Sequence, residues 1–219
     1  MTLLLILFLS QLCFTYTSYA QRRERVVNNL SFGQDGQKKL DSASLSGWSF
    51  SGHEFEPQIM SDRLILTPPY PGNCKGAMWA RETVNALEWT VDLHFRATGP
   101  GRGGGDLQIW YTDGNRAQNM PENLYTVTTF DGLLIVIDQY GGSGGSIRGY
   151  LNDGTINYKE HYAVDNLAFG RCDYPYRNLG RLSNIRVIHN ADFFQVMVEG
   201  QECFRTEKVR IITLAKLLD

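Results

Sequence analysis

From Leu87 to Ala97 apolar and polar side chains alternate without a break. Leu87, Trp89, Val91, Leu93, Phe95 and Ala97 fall on one face; Glu88, Thr90, Asp92, His94 and Arg96 fall on the other. An α-helix turns 100° per residue and would mix the two sets, whereas an extended strand separates them completely. Period two over this length predicts a half-exposed antiparallel strand, and such a strand must bury its apolar face against a second layer.

The rest of the chain agrees with that demand. Further strands are predicted at Arg63–Thr67, Ala77–Ala80, Leu107–Thr112, Leu133–Asp138, Ser146–Leu151, Asn184–His189, Phe193–Glu199 and Glu207–Thr213. Leu133-Leu134-Ile135-Val136-Ile137 is apolar at every position, so it is expected in mid-sheet with cover on both sides. Turn residues punctuate the segments: Pro68-Pro69, Pro71-Gly72-Asn73, Asp113-Gly114-Asn115, Asn152-Asp153-Gly154 and Glu199-Gly200. Asn152-Asp153-Gly154 predicts a hairpin between Arg148–Leu151 and Thr155–Lys159. With 219 residues, 22 of them glycine, and no amphipathic helix longer than a couple of turns, the expectation is a single all-β sandwich. Trp48, Trp79, Trp89 and Trp110 are expected mostly in its core.

The N-terminus points to the secretory route. An apolar run from Leu3 to Phe14 precedes small residues at Ser18 and Ala20, which predicts a signal peptide over 1–20, with an uncleaved anchor as the alternative. The polar stretch that follows, within 21–47, is expected over the surface, and the folded domain over 48–219. Removal of the leader takes Cys13 and leaves Cys74, Cys172 and Cys203, which an oxidising lumen allows to bridge but which cannot all pair with one another. Asn29-Leu30-Ser31 is a glycosylation acceptor there, with Asn29 the modified residue. Lys+Arg 21 against Asp+Glu 23 leaves no basic surplus to recruit nucleic acid.

Two glycine-rich stretches, Gly99 to Gly105 and Gly141 to Gly145, each abut a strand with a carboxylate at the junction, Asp106 and Asp138. Neither opens a helix and no Gly-Lys-Ser/Thr follows, so a phosphate loop is not expected. Glycine admits a ligand close to the backbone, carboxylates accept hydrogen bonds from hydroxyls, and the Tyr140 ring offers an apolar face. The combination suits a polyol such as a sugar.

Several ordered motifs then carry a resemblance. They are Gly76-Ala77-Met78-Trp79, Leu87-Glu88-Trp89, Gly104 to Thr112, Phe130-Asp131-Gly132-Leu133 running into Ile137-Asp138-Gln139-Tyr140, Cys172-Asp173-Tyr174, Tyr176-Arg177-Asn178 and Gly200 to Cys203. Over about Trp48 to Cys203 the chain resembles the L-type, legume-lectin-like cargo receptors of the early secretory pathway, especially the fungal ones. The resemblance implies a concanavalin A-like jelly roll, a Cys172–Cys203 disulfide, and binding of high-mannose glycans on glycoproteins moving between endoplasmic reticulum and Golgi. It also implies a carbohydrate site at Asp106, Asp138, Tyr140, Gly142 and His161, a metal at Asp138 and Tyr140, and a lectin homologue as partner in a hetero-oligomer.

Position by position the match departs from the family pattern. The family Asp falls on Gly105 with Asp106 beside it, and the Asn that would bind both metal and sugar falls on Gly142. The family histidine falls on Glu160 with His161 next to it, and a second calcium Asp falls on Ala163 with Asp165 nearby. Calcium takes six to eight oxygens, so the thinned set leaves Ca²⁺, a monovalent cation or no metal all open. The family also continues past the last disulfide cysteine with further core strands, a stalk and a membrane span. Here Val209 to Asp219 reads differently, predicting a truncated or altered ending near Ile212, and secretion if the ending is genuine. Two other functions are compatible with such a sandwich. A glycosidase needs paired carboxylates about 5–10 Å apart, and no strand shows an alternating acidic pattern. A sandwich that has lost sugar binding and serves as a protein-interaction module is the stronger alternative.

Overall fold

A computed structural model of the chain describes residues 25–33, 40, 45–70, 72–84, 86–100, 105–112, 130–139, 144–157 and 164–207. Twelve strands occur among them: β1 (Trp48–His53), β2 (Gln58–Ile59), β3 (Leu64–Ile65), β4 (Lys75–Ala80), β5 (Trp89–Phe95), β6 (Asp106–Thr112), β7 (Asp131–Asp138), β8 (Ser146–Asp153), β9 (Gly170–Asp173), β10 (Ser183–His189), β11 (Phe194–Val198) and β12 (Gln201–Thr206). A single turn of 3-10 helix covers Val164–Leu167.

Two four-stranded antiparallel sheets form the sandwich, in the orders β6-β7-β8-β9 and β12-β11-β10-β5; β1-β4 and β2-β3 form two further antiparallel pairs. Leu133, Ile135 and Ile137 of β7 and Ile147 of β8 meet Ile185, Val187, Phe194, Val196 and Phe204 of the facing sheet in one core. The intervening Val136 points the other way, where it packs with Phe130 and Tyr150 under Trp110, Leu134, Leu167 and Ala168. The unbroken apolar run is therefore covered on both sides, as its composition demands. Each fully buried aliphatic side chain contributes roughly 1.5–3 kcal/mol of transfer free energy.

The alternating segment becomes β5, with Trp89 and Phe95 packed against the core, Leu93 half-buried, and Thr90, Asp92 and His94 exposed. On the exposed face Arg186 of β10 grips the Asp92 carboxylate through Nε at 2.6 Å and Nη2 at 3.0 Å. Among the described residues β5 ends its sheet, and Val91 on the apolar face stays 43% exposed. His189 is buried against Trp89, Tyr111 and Phe194, so it is a core residue rather than a surface one.

Two devices hold the sheets together. The Cys172–Cys203 disulfide joins β9 to β12 across the sandwich, each the outermost strand of its sheet among the described residues. Gly149 and Gly170, paired across β8 and β9, leave room for Phe204 from the other sheet. A Cβ at Gly149 would lie 2.6 Å from Phe169 Cζ, and one at Gly170 would lie 2.6 Å from Phe204 Cγ.

Some expectations need correction. The Asn152-Asp153-Gly154 turn forms, but Thr155 to Asn157 do not pair with β8 as a hairpin strand. Instead the buried Asn152 side chain takes over the chain that follows: its Nδ2 donates to the Ile156 carbonyl at 2.8 Å and its Oδ1 accepts from the Ile156 amide at 3.1 Å. β9 takes the remaining edge of β8. The stretch expected on the surface is exposed at residues 25–29, yet Leu40 and Leu45 are buried. Glu207 lies outside any strand; residues 208–219, like the expected signal peptide over 1–20, lie outside the described residues.

Candidate functional site

The site grows from strand register. β6 and β7 pair so that Asp106 stands directly opposite Asp138, and the β7–β8 ladder sets Ser146 on the other side of Asp138. Leu107 and Ile137, the neighbours of the two acids, point into the core, so the alternation of a strand turns Asp106 and Asp138 to the opposite face. The carboxylates at the ends of the two glycine-rich stretches thus sit side by side at one end of the sheet.

Each is held differently. Along β6 the same-face residues form a relay: Trp110 Nε1 donates to Gln108 Oε1 at 3.1 Å, and Gln108 Nε2 donates to Asp106 Oδ2 at 2.5 Å. Asp106 remains exposed, which leaves it available to a ligand. Asp138 is only 8% exposed, and burial of a carboxylate demands compensation. Arg148 supplies it, pairing through Nη2 with Asp138 Oδ2 and through Nη1 with Asp165 Oδ1. The Ser146 hydroxyl donates to Asp138 Oδ1 at 3.4 Å. Asp165 lies in the 3-10 turn, so this one guanidinium ties the sheet to the segment beyond it. Beside the trio, the Tyr150 hydroxyl is pushed above its ordinary pKa, chiefly by burial, with Arg148 opposing and Asp165 and Asp138 reinforcing.

A single segment, Tyr174 to Asn178, braces both glycine-rich stretches. The Tyr176 hydroxyl donates to the Gly105 carbonyl at 2.9 Å; Arg177 donates to the Pro100 carbonyl at 3.1 Å and to Gln139 Oε1 at 3.2 Å. Asn178 exchanges two 3.1 Å hydrogen bonds with the Gly99 backbone, and the Tyr174 amide donates to the Gly145 carbonyl at 3.0 Å. Gly145 adopts φ +147, and a Cβ there would lie 2.6 Å from the Tyr174 carbonyl oxygen, so only glycine fits the brace. Burial raises the Tyr176 phenol to about 12, with Arg177 opposing and Asp138 and Asp106 adding to the rise.

Of the residues named from sequence, Asp106 and Asp138 come together as expected, and the Cys172–Cys203 bridge forms. Tyr140, Gly142 and His161, along with Glu160 and Ala163, lie outside the described residues. Asn29 is exposed in a turn, its Nδ2 donating to Glu82 Oε2 at 3.3 Å. Sequence reasoning missed Gln108 and Arg148. Period two counted from Asp106 reaches Gln108, and an arginine inside the apolar strand Ser146–Leu151 is itself the signature of a buried ion pair.

The described residues do not fit a cation ligated by Asp138. Among them no three His, Cys, Asp or Glu side chains converge as a metal set. Asp138 already carries the Arg148 guanidinium, and a divalent ion about 4 Å from that charge would meet a repulsion on the order of several kcal/mol at an effective dielectric constant of about 20. The expectation of a metal at Asp138 and Tyr140 therefore finds an arginine in possession of its one described carboxylate.

Comparison with known proteins places this architecture. The chain is 28% identical over 160 residues to protein EMP47 of Saccharomyces cerevisiae, covering 71% of this chain and 35% of that protein. It is 27% identical over 189 residues to the ERGIC-53-like protein of Rattus norvegicus, covering 84% of this chain and 36% of that protein. The chain thus spans little more than a third of the length of these relatives. Among solved structures it resembles the Emp46p carbohydrate recognition domain in its potassium-bound form, at a TM-score of 0.64 and 24% identity over 77% of this chain and 76% of that one. It also resembles the VIP36 exoplasmic/lumenal domain in its Ca²⁺/Man-bound form, at a TM-score of 0.62 and 20% identity over 74% and 70%. Both likenesses establish the jelly-roll sandwich. The family model described as legume-like lectin matches residues 24–215, nearly the whole sequence and every element of the site, and the chain belongs to that family.

Proposed function

We propose that this chain is a carbohydrate-binding lectin domain, without catalytic activity, that recognises high-mannose glycans on glycoprotein cargo passing from endoplasmic reticulum to Golgi. The observation that carries the reading is the in-register pair of Asp106 and Asp138 at the ends of two glycine-rich stretches, within a legume-like lectin sandwich. Carboxylates fixed by Gln108 and by Arg148 present acceptors in set directions, which suits the hydroxyls of a sugar better than it suits a flexible ligand. Tyr140, Gly142 and His161 complete the site in this proposal, with the Tyr140 ring stacking on the sugar and the Gly142 amide donating to it. The relatives whose names speak of carbohydrate recognition and of bound mannose support the same chemistry. A signal peptide over 1–20 delivers the domain to the lumen, where Asn29 carries a glycan and a lectin homologue joins it in a hetero-oligomer.

One observation favours a second reading. The Asp138 carboxylate is engaged by Arg148 and Ser146, which leaves it less to offer a ligand and fits a sandwich turned to protein interaction. A glycan array decides. The lectin reading expects mannose-terminated oligosaccharides to bind, and Asp106→Ala to abolish binding at an unchanged thermal midpoint. A folded wild type that retains no glycan on the array would move the assignment to the interaction module.

A further inference from the structure

We propose that the Arg148 guanidinium is the built-in cation of this site, so that the site is organised without a bound metal. The inference rests on the carbohydrate-binding reading for its ligand, but its structural basis is separate.

A calcium ion ligated by carboxylates from different segments draws them onto a common point. Arg148 does the same here. Its two terminal nitrogens reach Asp138 at the end of β7 and Asp165 in the 3-10 turn, which no backbone ladder joins. The planar fork of a guanidinium suits that bridging, because it can address two carboxylates at once and never deprotonates. Arg148 is 7% exposed and fixed on the central part of β8, so its charge is part of the fold rather than a mobile surface group. Charge is also accounted for. Two carboxylates against one guanidinium leave a single negative charge, and the partly exposed Asp165 carries it toward water.

Thermal unfolding of the full chain in EGTA, in CaCl₂ and in KCl tests this, with mannose-glycan binding measured in the same buffers. The wild-type midpoint is expected to be the same in all three, and glycan binding to persist in EGTA. Arg148→Met leaves two carboxylates around a vacated position. Its midpoint should fall by about 10 °C in EGTA, as for a broken buried ion pair, and CaCl₂ should restore most of the loss. Arg148→Lys keeps the charge but not the fork and should fall between the two. A wild-type midpoint that rises with Ca²⁺ or K⁺ overturns the proposal, as does an Arg148→Met protein that folds and ignores calcium. Should Arg148→Met not fold, the wild type decides alone by the same criterion. A wild type that shows the expected cation responses and binds no glycan would set aside the lectin reading while leaving Arg148 in its role.

Discussion

The Tyr176 hydroxyl donates to the Gly105 carbonyl at 2.9 Å, and this one bond ties the segment after the disulfide cysteine to the residue preceding Asp106. The orientation of an exposed carboxylate thereby depends on a buried phenol far along the chain.

Tyr176→Phe should leave the fold intact and cost about 1 kcal/mol, the net worth of one hydrogen bond, while weakening sugar binding several-fold as Gly105 and Asp106 loosen. Calorimetry of unfolding and of mannose binding would measure both. The same phenol has a pH signature. Its folded pKa, near 12, exceeds the unfolded value of about 10, so the neutral form is favoured by folding. That stabilisation is complete below about pH 10 and lost as pH rises through about 12, and the loss should be absent in the Phe variant.

Glu199 titrates in the opposite sense. Hydrogen bonds from Tyr174 first and Arg181 next hold its carboxyl below the ordinary range. Its contribution is present above the unfolded pKa of about 4.3 and lost as pH falls through the lower folded value. Glu199→Gln should flatten the acid limb of a stability–pH profile. At neutral pH the cost should be about 1 kcal/mol at most, because the side chain is 35% exposed and solvent screens the pair.

Gly149→Ala should destabilise without touching the site. The added methyl meets Phe169 and Phe204 rings that are already packed edge to face, and overpacking of this kind costs about 1–3 kcal/mol. Urea unfolding would report a lower midpoint at an unchanged slope.

Replacing both Cys172 and Cys203 with Ser should cost about 3–4 kcal/mol on the chain-entropy account, given their separation of 31 residues. Unfolding in the presence and absence of a thiol reductant would show the wild type falling to the level of the double variant.

Much of this architecture was legible along the chain. The alternation at Leu87–Ala97 and the unbroken run at Leu133–Ile137 predicted one strand covered on a single face and one covered on both, and β5 and β7 are those strands. The polar strands β9 and β12 were not legible, because sequences such as Gly-Arg-Cys-Asp carry no apolar period and become strands only where a ladder and a disulfide receive them. The Asn152 turn failed as a hairpin for a related reason. Turn chemistry sets where the chain reverses, but β9 takes that edge of β8 at Ser146–Gly149 and the Asn152 side chain captures Ile156.

What the sequence by itself determined is local and periodic: which faces are apolar, where the chain turns, and that two carboxylates end two glycine-rich stretches. What only the tertiary structure decided is lateral. Asp106 meets Asp138 through the register of β6 on β7, and Arg148 claims the buried Asp138 and the exposed Asp165 because the fold brings both within its reach. Period along a strand is written in neighbouring residues. The partner across a sheet is fixed by burying apolar faces over long separations, and a buried carboxylate then takes whichever cation that packing brings within reach.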